Sequence, residues 1–169
     1  KPDPGLMQRP PRSSKERLWN RALIFRAYLF LGVMEAAAAM AAFFYVLSEG
    51  GWQVGRDPAW NDPLYLQATT ACLSAIIVMQ VVNVFLCRSD RESVLSFRLL
   101  GNPFILWGIA VEVVLILLID YSPWGNRIFG TAPIAPEVWF FVIPFAVGML
   151  IMDEGRKWLI RRGTAISLL

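Results

Sequence analysis

The sequence predicts an all-α membrane protein of four transmembrane helices with both termini cytoplasmic. Three observations carry that prediction. Of the 169 residues, 56% are hydrophobic, and the mean hydropathy is +0.50, more apolar than a soluble domain of this length sustains. The apolar excess is gathered into four blocks, each near the ~20 residues a helix needs to cross a hydrocarbon core. Between the blocks, Lys and Arg alternate: fourteen of the sixteen fall in the N-terminal segment, the middle connection and the C-terminal end.

Residues 1–26 begin "KPDPGLMQRPPRSSKER", which is polar, Pro-rich and basic. They contain no apolar signal-peptide core and do not start with Met, so they read as a cytoplasmic basic segment continuing a longer polypeptide. The membrane domain spans 27–163. Its first helix is predicted over about 27–48 and its second, "LYLQATTACLSAIIVMQVVNVFL", over about 64–86. The third occupies 103–121 and the fourth about 137–157, with 164–169 as a C-terminal tail. The connections "EGGWQVGRDPAWNDP" and "SPWGNRIFGTAPIAPE" hold only Arg56 and Arg127 but are rich in Trp, Pro and Gly. Indole rings favour the headgroup level, and such loops are rigid connectors rather than domains.

The positive-inside rule places the cation-rich connections in the cytoplasm. Arg88, Arg91, Arg156, Lys157, Arg161 and Arg162 then lie at the cytoplasmic interface, where basic clusters attract anionic lipid. No folded basic face with interleaved aromatics accompanies them, which excludes nucleic acid as a partner. The chain has no His, and Cys72 and Cys87 lie on one helix fifteen positions apart. Neither a disulfide framework nor a Cys/His zinc site is implied.

Four polar groups fall at membrane depth: Glu35, Gln80, Asn83 and Glu112. An unpartnered amide in hydrocarbon costs roughly 2–7 kcal/mol, so each requires a reason. Glu35 precedes an alanine run, whose small side chains let helices approach closely, and is predicted to make an interhelical hydrogen bond. Gln80 and Asn83 are three residues apart on one helical face. Their carbonyls are hard, neutral oxygen ligands of the kind alkali and alkaline-earth cations accept, and equally they can join helices. Glu112 lies roughly 13–15 Å along its helix with no cation in the membrane to neutralise it. It is therefore protonated or meets a cation.

The segments "MQRPPRSSKERL", "VMQVVNVFLCRSDRESVLSF", "GNPFILWGIAVEV" and "WFFVIPFAVGMLIMDEGRKWLIRR" resemble the C-terminal membrane part of type II cation-transporting P-type ATPases. Sodium/potassium, proton/potassium and calcium pumps are members of that family. The resemblance covers essentially the whole chain, as helices seven to ten of ten. It implies a parent enzyme that uses Mg-ATP, forms an aspartyl phosphate and moves cations. The D-K-T-G-T and T-G-E-S motifs and helices four to six are not in this sequence, so the chain alone carries no cofactor and no ATP hydrolysis by that route. Its implied partners are lipid, the remaining helices and cytoplasmic domains of the parent, and the transported metal cation.

Residue by residue, the resemblance places Gln80 where calcium pumps carry a Glu ligand and the sodium pump a Gln. It places Asn83 at an Asp of the sodium pump's additional sodium site, and Glu112 at a Glu of that site. Asn83 and Val111 depart from that pattern, since both positions are carboxylates in the sodium pump. The tentative cation ligands are therefore Gln80, Asn83 and Glu112, with Glu35 as a structural polar group. The alternative reading is a free-standing four-helix transporter or channel subunit that couples protons through Glu35 or Glu112. A purely structural bundle is the third.

Overall fold

The computed structural model describes residues 21–55, 58–89, 92–96 and 101–162. Most of the basic segment, Arg91 and the tail at 164–169 lie outside them. The described residues are helical, with no strand among them. A short helix α1 (Arg21–Ile24) runs into a π-helical stretch, Phe25–Leu31, and then into α2 (Gly32–Glu49). There follow α3 (Pro63–Leu86), a 3₁₀ turn at Val94–Ser96, α4 (Pro103–Tyr121), the short α5 (Pro123–Phe129) and α6 (Pro136–Arg161). Four helices, Phe25–Glu49, α3, α4 and α6, are long and apolar enough to cross a membrane.

Proline sets where most of these helices begin. Its missing N–H costs nothing in the first turn, where backbone donors lack intrahelical partners anyway. Each of Asp62, Asn102 and Ser122 precedes a proline and caps the helix that follows. Asp62 Oδ1 accepts from Leu64 N at 2.9 Å, Asn102 Oδ1 from Phe104 N at 3.1 Å, and Ser122 Oγ from Gly125 N at 2.9 Å. Gly130, at φ 64°, closes α5 in the left-handed conformation that glycine adopts without strain. A Cβ on Gly125 would lie 2.6 Å from Ile119 Cα, so only glycine lets α5 fold back onto the end of α4.

The packed centre is formed by α2, α3 and α6. One buried cluster joins Leu31, Ala38, Met79, Leu86, Ala146 and Met149; a second joins Ala42, Ala71, Ala75, Val138 and Val142. The alanines decide the geometry. Ala38, Ala42, Ala71 and Ala75 are fully buried, so the backbones of α2 and α3 come close and dispersion contacts replace side-chain bulk. Tyr45 of α2 stacks on Phe141 of α6 with ring centroids 4.3 Å apart. By contrast, α4 packs along α3 and α5 and leaves most of its apolar surface open, including Val111, Val114, Leu115 and Leu118.

Candidate functional site

Polar side chains inside this apolar bundle collect at three levels. In the middle, α2 and α3 bring Glu35, Gln80 and Asn83 together. Gln80 Nε2 donates to Glu35 Oε2 and Asn83 Nδ2 to Glu35 Oε1, each at 3.0 Å. Cys87 Sγ in turn donates to Asn83 Oδ1 at 3.2 Å. Both carboxylate oxygens are thus held by neutral amides, and among the described residues Glu35 makes no ion pair.

The π-helical stretch explains how helix one reaches α3 at two levels. A straight α-helix turns about 100° per residue, which would set Arg26 and Glu35, nine positions apart, on opposite faces. The wider i→i+5 winding turns roughly 80° per residue, and over the stretch this removes on the order of 100–130°. Both side chains consequently meet α3: Glu35 through its amides, and Arg26 through Nη2, which donates to the Leu86 carbonyl at 3.1 Å.

That carbonyl belongs to the second level, a buried charge cluster where α3 and α6 end. Leu86 O also accepts from Lys157 Nζ at 3.2 Å. Two cations therefore satisfy a helix C-terminus, whose carbonyls lack intrahelical donors and whose dipole is negative. Asp153 is their shared counter-ion, with Arg156 Nε at 2.9 Å, Lys157 Nζ at 3.0 Å and Arg26 Nη2 at 3.5 Å. Asp153 and Lys157 are wholly buried, and Arg26 and Arg156 nearly so. Beside them, Glu154 Oε1 accepts from Val94 N at 2.7 Å, fastening the α3–α4 connection to α6. Arg156 and Lys157, read from sequence as interfacial, are thus enclosed in protein. Arg161 and Arg162 are exposed, and Arg162 lies 3.9 Å over the Trp158 ring. Arg88 is partly exposed, and Arg91 lies outside the described residues.

At the opposite end, buried Ser74 donates to Asp120 Oδ2 at 2.6 Å, joining α3 to α4. Thr70 Oγ1 accepts from Ala132 N at 2.9 Å, and Gln67 Nε2 donates to the Pro133 carbonyl at 3.1 Å. Tyr121 donates to Ile134 O at 3.0 Å and accepts from Trp139 Nε1 at 2.9 Å. These bonds seat the α5–α6 connection across the bundle end.

Glu112 is not brought into the Glu35 cluster. It is the single acidic side chain in a groove of about 530 Å³ between α3 and α4, lined otherwise by apolar residues such as Leu73, Ile77, Val84 and Ile116. Of the three tentative cation ligands, the structure joins Gln80 and Asn83 through Glu35 and leaves Glu112 on a neighbouring face. Sequence reasoning missed the Arg26–Asp153 and Ser74–Asp120 pairs. The i, i+3 and i, i+4 spacing of Asp153, Arg156 and Lys157 was a readable signal for the first; Ser74 carried none.

These features define an integral, multi-span α-helical membrane domain with polar groups held between its spans. A family model described as "Cation transporting ATPase, C-terminus" matches residues 1–159, and the chain belongs to that family, as a C-terminal membrane region of a P-type cation ATPase. It is 25% identical to a sodium/potassium-transporting ATPase subunit alpha-1 of Oreochromis mossambicus over 96% of its length. It is 28% identical to the corresponding alpha subunit of Drosophila melanogaster over 93%, and 26% to subunit alpha-4 of Rattus norvegicus over 95%. The chain spans only 17–18% of the length of these relatives.

Proposed function

We propose that this chain is the membrane scaffold of an ATP-driven cation pump and partly lines its cation-binding region. The observation that carries the reading is the family match across 1–159, laid over four spans whose polar groups face one another. The end of the bundle that holds the charge cluster is cytoplasmic, together with both termini, as the positive-inside rule predicts. The parent binds Mg-ATP on domains outside this chain, and the chain anchors them in lipid. Gln80 and Glu112 approach the transported cation, Gln80 with an amide carbonyl and Glu112 with a carboxylate in an open groove. Asn83 contributes less, since it lacks the charge of a carboxylate.

One observation favours a second reading in which Gln80 and Asn83 only join helices: both amide nitrogens are already engaged by Glu35. Cation-dependent phosphorylation by Mg-ATP, measured on the protein expressed from its own gene, separates the two. Gln80→Ala and Glu112→Gln are each expected to raise the half-saturating cation concentration by about tenfold, the loss of one good ligand. Unchanged concentration dependence in both variants would leave the side chains as helix-joining groups.

A further inference from the structure

We infer that Asp120 is a proton-binding site: it holds a proton as a neutral carboxylic acid, and that acid joins α4 to α3 at the bundle end opposite the charge cluster. The inference does not depend on the pump reading. It begins with an isolated carboxyl group. Asp120 is wholly buried, and among the described residues no donor reaches its Oδ1. Its Oδ2 has one partner, Ser74 Oγ at 2.6 Å. An ionised carboxylate enclosed in this way bears the cost of its lost hydration, which a bound proton removes.

The neighbouring elements place no cation against it. Arg127, the cation of α5, is exposed. On α3, Thr70 donates its hydroxyl hydrogen to Leu66 O at 2.7 Å, and Cys72 lies about 200° round the helix from Ser74. On α4, Glu112 sits about two turns earlier in its groove, and Tyr121 donates to Ile134 O. In the α5–α6 connection Thr131 donates to Ile119 O at 2.6 Å. The Asn126 side chain stands 3.0 Å from the backbone oxygens of Ile119 and Asp120. Glu137, in the first turn of α6, is exposed. Arg26, Arg156 and Lys157 are engaged with Asp153 at the other end.

Hydrogen counting points the same way. A serine hydroxyl carries one hydrogen, and Ser74 Oγ stands between two oxygens, Asp120 Oδ2 and Thr70 O at 3.0 Å. With Asp120 ionised, two acceptors compete for that hydrogen. With Asp120 as the acid, its O–H donates to Ser74 Oγ and Ser74 donates on to Thr70 O. Each hydrogen then has an acceptor. The turn at Gly125 lies against Leu118 and Ile119 and covers this end of the seam. Ser74–Asp120 is the one side-chain hydrogen bond between α3 and α4 among the described residues. Loss of the proton leaves a bare charge in that contact and loosens α4 from α3. Ile116 and Ile119, beside Asp120 on α4, line the Glu112 groove, so the proton also sets how closely that groove is held.

The test uses the protein expressed from its own gene, purified in detergent, as wild type and Asp120→Asn. Asparagine stands in for the neutral acid, because its N–H can donate to Ser74 Oγ. Infrared spectra at neutral pH are expected to show the C=O stretch of a protonated carboxylic acid that is sensitive to D2O and lost in Asp120→Asn. Thermal unfolding is followed from about pH 5 to about pH 9. Unfolded chains ionise Asp near pH ~4, so wild type takes up a proton on folding. Stability from that proton is fully present at low pH and lost as pH rises. Relative to Asp120→Asn, the folding constant of wild type should fall about tenfold per pH unit until Asp120 ionises in the native state. Absence of an acid band that disappears in Asp120→Asn, or a melting difference that stays constant with pH, overturns the site. Where Asp120→Asn does not fold, Ser74→Ala serves. Without its acceptor the Asp120 acid band should move to higher frequency, and a spectrum identical to wild type overturns the site as well.

Discussion

Replacing Asp153 by Asn tests whether the buried charge cluster holds the bundle end together. Asp153 is fully buried, and three cations lie within 3.5 Å of its carboxylate. Asparagine keeps the size but removes the charge, leaving Lys157, itself fully buried, facing a neutral amide. Breaking one partner out of a buried ion pair costs about 3–5 kcal/mol, because the remaining charge stays desolvated. Against a total stability of roughly 5–15 kcal/mol that is a large fraction, and it corresponds to a fall in melting temperature on the order of 10 °C. The assay is thermal unfolding in detergent, run beside Asp153→Leu/Lys157→Met, which removes both charges. The double variant is expected to recover part of the loss, since Lys157 no longer stands buried without a partner while Arg26 and Arg156 still lack the Asp153 carboxylate. A loss under about 1 kcal/mol for Asp153→Asn, or a double variant no better than the sum of its parts, would refute the reasoning.

Two further perturbations follow from the backbone. Deleting Leu29, an exposed residue of the π-helical stretch, should restore α-helical winding with Arg26 eight positions from Glu35, about 80° apart and still on the α3 side. A loss under about 1 kcal/mol is expected, with Arg26→Ala equally costly in both backgrounds of a double-mutant cycle of melting temperatures; a larger loss that is non-additive with Arg26→Ala would show that α-helical winding cannot present Arg26 to Leu86. Gly125→Ala should destabilise by about 1–3 kcal/mol, because the added methyl meets the backbone of Leu118 and Ile119, which has no room to yield. Unaltered unfolding of that variant would mean that α5 is free to move off α4.

The spans were legible because hydrocarbon imposes length and composition on any helix that crosses it. Blocks read at 27–48 and 64–86 correspond to helices at Phe25–Glu49 and Pro63–Leu86. Polar pairing was legible only where it is local. Gln80 and Asn83 share a face by spacing alone, as do Asp153, Arg156 and Lys157. Which neighbour that face meets was not legible, because these helices are apolar nearly all round and no polar side marks the exterior. The π winding left no trace in "FRAYLFL", so the sequence could not show that Arg26 and Glu35 turn the same way. Helix α5 was hidden as well: "SPWGNRIFG" reads as a loop until Ser122, Pro123 and Gly130 are seen to cap and close it.

The three helices around α3 divide its surface, and that division bears on which ligands can act together. Taking 3.6 residues per turn, Asn83 lies about 100° from the mean direction of Leu73, Ile77 and Val84, the residues that line the Glu112 groove. Gln80 lies only about 40° from it. Asn83 is therefore committed to the α2 side, where Glu35 holds it, whereas Gln80 stands at the border between the Glu35 seam and the groove. A cation held by Gln80, Asn83 and Glu112 at once would require α4 to roll toward α2, or α3 to rotate. Helix α3 resists rotation, because Leu86 ties its last turn to α6 and Ser74 ties its middle to α4. The arrangement thus leaves Gln80 between two separate carboxylates, Glu35 across the α2 seam and Glu112 in the α4 groove, rather than gathering Gln80, Asn83 and Glu112 at one point.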